Sequence, residues 1–310
     1  MQLIEQMEEA PPEAEGGVIA IGTFDGIHLG HQKVIEHAVA LADAEGVTSL
    51  VFTFKGHPLS LLAPERAPRA LISHAGRRRV LEDLGVDILV EEAFTPTLAS
   101  LTADEFLARL ARALSPRAVV VGKNFSFGAG GLGTTDYLVE RGRETGFRAE
   151  IAELLYYGGA PVSSTRIRRL LTEGDVRLAG VLLGRLFSVE GVVAHGEERG
   201  RTLGFPTANL TVPAWQICPA DGAYVVRVTL PTGETRGGMA SVGTNPTFGG
   251  VTRHLEVNIF DFSGDLYDAR IDVRFVDRLR REERFASAGS LVAQLREDER
   301  RARALLTESA

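Results

Sequence analysis

This chain of 310 residues has one cysteine and one tryptophan, no excess of positive charge and no long apolar run. Its one cysteine, Cys218, permits no internal disulfide and no Cys-rich zinc site, which suits a reducing compartment and makes the cytoplasm the expected location. No stretch approaches the ~18 apolar residues of a membrane span, because charged residues or glycine interrupt every run. The basic start and apolar segment of a signal peptide are also missing, so no membrane partner is expected. Lys plus Arg number 34 against 41 Asp plus Glu, a net charge of −7 that repels phosphate backbones and argues against nucleic acid as a partner. With 44% hydrophobic and 24% charged residues, the length fits two globular domains at roughly 100 to 200 residues each. Residues 1–17, acidic and proline-bearing, read as a flexible leader.

Between residues 18 and 185, short β-rich runs alternate with helical patterns, the order of parallel strands joined by crossover helices. Segments 18–21, 50–54, 87–90 and 118–121 are apolar enough to be strands buried on both faces. Residues 31–45 place Val34, Ala38 and Leu41 at helical spacing and stop at Gly46, a good residue for a left-handed helix end. Thr102 and Glu105 form a capping-box pattern before the stripe Phe106, Leu107, Leu110 and Leu114. From residue 186 onward, β-runs at 189–193, 224–230, 235–242, 255–262 and 271–276 are separated by Gly and Pro. They predict an antiparallel barrel or sandwich, followed by an amphipathic helix over 287–306.

Two constellations carry chemistry. Gly22, Thr23, Phe24, Asp25, Gly26, Ile27, His28, Leu29, Gly30 and His31 follow the first strand and open the first helix, where free N–H groups and the helix dipole attract phosphate. The glycines allow a close backbone approach, and His28 and His31, three apart, project from one side of the helix start. This is neither a P-loop nor a dinucleotide fingerprint, which leaves nucleotidyl transfer. Asn124, after the fourth strand, and a second helix start at Ser163, Ser164, Thr165, Arg166, Ile167 and Arg168 add two further phosphate-facing candidates. Taken alone, that second start is an ordinary capped helix. In the other half, Gly200 and Gly204 permit a close phosphate loop, and the oxygens of Thr207 and Asn209, two residues apart, can ligate Mg²⁺ beside nucleotide phosphates. Glu256 alternates with Leu255 and Val257 and shares a strand side with Asn258 and Phe260, a placement equally consistent with plain solvent exposure.

The His-x-Gly-His element resembles the signature of the nucleotidylyltransferase superfamily. Together with 122–128 and 163–168 it resembles the FMN adenylyltransferase half of the bacterial bifunctional riboflavin kinase/FMN adenylyltransferase (FAD synthetase) family. Gly200, Arg201, Thr202, Leu203, Gly204, Phe205, Pro206, Thr207, Ala208 and Asn209 resemble that family's riboflavin kinase signature. The likeness runs on through 243–248, 255–262 and 279–285, covering residues 18–303. It implies an α/β nucleotidylyltransferase domain with a Rossmann-like parallel sheet at 18–185, then a β-barrel riboflavin kinase domain with a C-terminal helix at 186–310. The implied substrates are riboflavin, FMN and ATP, with FAD as final product and Mg²⁺ in both steps; oligomeric state is left open. By the same resemblance His28 and His31 stabilise charge on the α-phosphate, Glu256 is the kinase base, Thr207 and Asn209 are the metal positions, and Asn245 and Arg284 belong to the kinase site.

Lys55 and Gly56 before His57, and Ile72 with Gly76, depart from the family's usual residues in the first half. They motivate an alternative, a riboflavin kinase whose N-terminal domain is a weakened or regulatory nucleotide-binding module.

Overall fold

In the computed structural model residues 1–195, 204–247 and 250–308 are described. The chain divides into two compact units, Met1–Ser163 and Ser164–Ala310.

The first unit is built on a six-stranded parallel sheet of order β1-β4-β3-β2-β5-β6. Its strands are β1 (Gln2–Ile4), β2 (Val18–Ile21), β3 (Ser49–Lys55), β4 (Ile88–Ala93), β5 (Ala118–Gly122) and β6 (Arg148–Ala152). Their helices are α1 (Leu29–Glu45), α2 (Leu59–Leu62), α3 (His74–Asp83), α4 (Pro96–Ser100), α5 (Ala103–Leu114) and α6 (Thr135–Thr145). Every residue of β2 is buried because both faces are covered. Ile19, Ile21, Phe52 and Val121 pack with Phe106, Leu107 and Leu110 of α5 on one face. Val18, Ala20, Val51 and Val120 pack with Val34, Ile35 and Ala38 of α1 on the other. The signals at the helix ends hold: Gly46 is left-handed at φ 64 after α1, and Thr102 and Glu105 close a reciprocal capping box on α5.

The leader expectation is corrected. Residues 2–4 form β1, parallel to β4 with Gln2 opposite Ile88, and Met7 is fully buried. The Met7 amide donates to Glu92 Oε1 at 2.7 Å, and Arg109 of α5 clasps both Glu92 and Glu8. Acidic composition suggested a solvated tail, but these acids meet arginine and lysine partners distant in sequence. Lys55 pairs with Glu5 at 2.6 Å.

After the short hairpin β7 (Tyr156–Tyr157) and β8 (Ala160–Pro161), the second unit begins with α7 (Ser164–Glu173) and α8 (Val176–Leu183). The sequence boundary at 185 lies later than this division, because the change in strand pattern marks where a barrel starts. The docking of the two preceding helices is not a local signal. The Ala220 amide donates to Leu171 O at 2.8 Å, and Arg278 donates to Glu173 O at 3.0 Å, fastening α7 to the barrel. The barrel comprises β9 (Phe187–Ala194), β10 (Ala208–Thr211), β11 (Gly222–Thr229), β12 (Thr235–Thr247), β13 (Gly250–Ile259) and β14 (Arg270–Arg281), and β9–β10 pairing closes it. The last helix, α9 (Ala288–Glu308), lays Val292, Leu295, Ala302 and Leu305 over Val225, Met239 and Phe260.

Candidate active sites

The first site grows from the exit of β2. Gly22 and Gly30 leave room for their neighbours: a Cβ on Gly22 would stand 2.9 Å from the Phe24 ring, and one on Gly30 a tight 3.2 Å from the His28 imidazole. Between them the chain takes left-handed φ at Phe24 (45°), Gly26 (81°) and Ile27 (38°). Two such non-glycine residues, one β-branched, store backbone strain of the kind that clusters at ligand sites. The turn is held by Asp25 Oδ1, which accepts the Leu71 amide at 2.9 Å, and by Gln32, whose Nε2 donates to Ile27 O at 2.8 Å.

This turn delivers His28 as the N-cap of α1, its Nδ1 accepting the His31 amide at 3.2 Å. The two imidazoles stack with centroids 3.6 Å apart, and Phe24 meets His31 edge-on at 5.4 Å. Burial, then the neighbouring His28 and the Arg77 guanidinium, hold His31 well below the usual imidazole range, so it is neutral at neutral pH. Its Nδ1 is shielded from solvent and has no hydrogen-bond partner within the protein. A buried polar atom left so is costly.

Because β5 lies beside β2 in parallel, Asn124 follows at the same carboxyl edge of the sheet, where it is exposed. Ser163 closes the first unit, while Ser164, Thr165 and Arg168 open α7 in the second.

Sequence reasoning missed a charged cluster at the end of β4. Glu91 is fully buried and accepts from His74 Nδ1 at 3.0 Å, Arg77 Nη1 at 3.3 Å and Arg78 Nη2 at 2.9 Å. Burial alone would raise its carboxyl, but these hydrogen bonds and the Arg77 charge bring it down to about 2. Arg77 also donates to Phe54 O at 2.7 Å. The available signal was the pair Glu91 and Glu92 ending an apolar strand, which places the two carboxylates on opposite sheet faces. Ser73 caps α3 by accepting the Gly76 amide, so the unusual residues around Ile72 and Gly76 build an ordinary helix start.

The second site lies on the outer wall of the barrel. Leu255 and Val257 are fully buried inside it, so Glu256 faces outward. In register, Glu256 stands directly opposite Asn209 of β10 on one side and Ser241 of β12 on the other. The row continues through Ala223 of β11 to Arg280 of β14. One step toward α9, Asn258 donates from Nδ2 to Pro206 O at 2.7 Å, fixing the chain just before Thr207 and Asn209. Phe205 is buried beneath α9, and Gly204 is left-handed at φ 84. Asn245 stands in β12 opposite Thr252. Arg284 is exposed in the link to α9, where its neighbour Phe285 lies under the Arg280 guanidinium at 5.3 Å. Gly200, Arg201 and Thr202 lie outside the described residues. Among the described residues no cluster of three His, Cys, Asp or Glu side chains could hold a metal by itself. The neutral oxygens at Thr207 and Asn209 fit a hard ion that takes its other ligands from phosphates and water.

Comparison with known proteins divides the chain in the same sense. A family model described as FAD synthetase matches residues 10–166, and one described as riboflavin kinase matches residues 183–306. A bifunctional riboflavin kinase/FMN adenylyltransferase from Pseudomonas fluorescens is 39% identical over 100% of this chain and 99% of its own length. Its counterpart from Escherichia coli K12 is 37% identical over 97% and 95%. A solved structure described as a macrolide-efflux protein from Streptococcus pneumoniae superposes with a TM-score of 0.88 at 36% identity, covering 97% of this chain and 98% of that one. Among the described residues of this chain, no helix is long and apolar enough to cross a membrane.

Proposed function

The chain belongs to the bifunctional riboflavin kinase/FMN adenylyltransferase family, and on that premise we propose that the two residue sets above are its two active sites. The enzyme phosphorylates riboflavin to FMN and adenylylates FMN to FAD. We assign the second step to the unit Met1–Ser163 and the first to the barrel.

In adenylyl transfer an FMN phosphate oxygen attacks the α-phosphorus of ATP, and the bond to the bridging oxygen breaks, releasing pyrophosphate. Charge grows on the α-phosphate oxygens during this exchange. The stacked His28 and His31 stand at a helix N-terminus whose N–H groups favour that charge. The stacking of His28 and His31 at this helix start carries the assignment, since it brings two imidazoles to one N-terminus. By resemblance Asn124 and Ser163 serve the nucleotide.

In the kinase step Glu256 accepts the proton of the ribityl 5′-hydroxyl. That oxygen bonds to the γ-phosphorus while the bond to the β,γ-bridging oxygen breaks and ADP leaves. Thr207 and Asn209 would hold Mg²⁺, which when bound neutralises charge on the transferring phosphate. The pairing of Asn209 with Glu256 supports this reading, because it sets the ion position beside the base.

Two of the departures that suggested a weakened or regulatory first domain have local partners: Lys55 is engaged by Glu5, and Gly76 by the Ser73 cap. The two assignments separate in one experiment. Asn209→Ala should abolish FMN formation and spare FAD formation from supplied FMN, while His31→Ala should do the reverse. Equal loss of both activities in a folded variant would refute the separation.

A further inference from the structure

We propose that Ser241 is a positioning residue for the phosphorylation of riboflavin, orienting the carboxylate of Glu256. This rests on the reading of Glu256 as the base. Ser241 is exposed between the buried Ala240 and Val242, so its hydroxyl points to the same outer wall as Glu256. The register of β12 and β13 makes the two residues direct partners, and side chains so paired have Cβ atoms roughly 4.5–5.5 Å apart, within reach of a serine hydroxyl and a carboxylate. The other row neighbour of Ser241 is Ala223, which offers no hydrogen bond. Along β13, Asn258 donates to Pro206 O, and the His254 ring lies over Gly243, with Nε2 3.0 Å from where a Cβ there would stand. Asn209, on the far side of Glu256, is assigned to the ion. Ser241 is therefore placed to donate to one carboxylate oxygen, holding the other toward the substrate hydroxyl. A proton acceptor gains from such orientation in the transition state more than in substrate binding.

The test uses the full chain with riboflavin, ATP and Mg²⁺, and compares Ser241→Ala, Ser241→Thr, Glu256→Gln and the double variant Ser241→Ala/Glu256→Gln, each checked for an unchanged unfolding midpoint. Ser241→Ala should lower kcat for FMN formation about ten- to a hundredfold, the worth of one hydrogen bond to a charged group, with KM for riboflavin within about twofold. Ser241→Thr should recover most of the loss. Adding Ser241→Ala to Glu256→Gln should cost nothing further. An unchanged kcat in Ser241→Ala beside an inactive Glu256→Gln would overturn the proposal, as would an additive loss in the double variant. An active Glu256→Gln would instead overturn the underlying assignment of the base.

Discussion

Arg280 of β14 and Asp298 of α9 form a partly buried ion pair, Nε to Oδ2 at 2.9 Å, with Asp298 only 1% exposed. Gln294 donates to the other carboxylate oxygen at 2.9 Å, and the Arg280 guanidinium covers Phe285. Arg280 stands in the same barrel row as Glu256, so this pair joins the closing helix to the wall that carries Glu256. Asp298→Ala leaves a carboxylate-free site around the partly buried Arg280 guanidinium, and a loss of roughly 2 to 3 kcal/mol is expected. Chemical denaturation should show it as a lower midpoint, and Asp298→Asn should lose less.

Glu91 predicts an acid sensitivity. Its folded carboxyl titrates at about 2 against an ordinary 4.5, so its contribution is complete above about pH 4.5 and is lost as pH falls from there toward 2. The difference corresponds to roughly 3 kcal/mol. Unfolding of the native protein and Glu91→Gln should differ by up to that amount at pH 6, and the gap should close as pH falls through 4.

His31 predicts an absence of pH response where a free imidazole would give one. Held well below its ordinary value of 6.5, it stays neutral as pH falls through 6.5, and FMN-to-FAD conversion should show no break there from this group. Its removal in His31→Ala should raise the barrier by about 3 to 4 kcal/mol if it meets charge in the transition state. Steady-state rates with supplied FMN check both outcomes.

Gly30→Ala separates stability from activity. Alanine favours the helix by up to ~1 kcal/mol, yet its methyl group would press on the His28 ring at 3.2 Å. The unfolding midpoint should hold or rise while FAD formation falls.

The features legible in the sequence are those written locally. Gly46 after α1, Thr102 with Glu105 on α5, and the unbroken apolar runs of β2 and β5 each depend on neighbours within a few residues, and each is found where its pattern places it. The strand β6 was not read because Arg148 and Glu150 dilute its apolar content at the sheet edge. β1 went unread because its partner lies more than eighty residues away. The same limit hid Arg77 and Glu91, whose meeting depends on α3 docking beside β4. In the barrel, alternation showed which side of its strand Glu256 takes, but its facing Asn209 and Ser241 is a matter of register between strands.

That register has a consequence for quality control. Two outward residues of the row through Glu256 are bracketed by inward ones: Glu256 by Leu255 and Val257, Ser241 by Ala240 and Val242. A slip of one residue in β13 would drive the carboxylate into the packed interior and put valine in its place, a penalty no folded barrel of this size absorbs. Misassembled yet soluble copies with a scrambled site are thereby disfavoured, and the same hydrophobic sorting that closes the barrel certifies its chemistry.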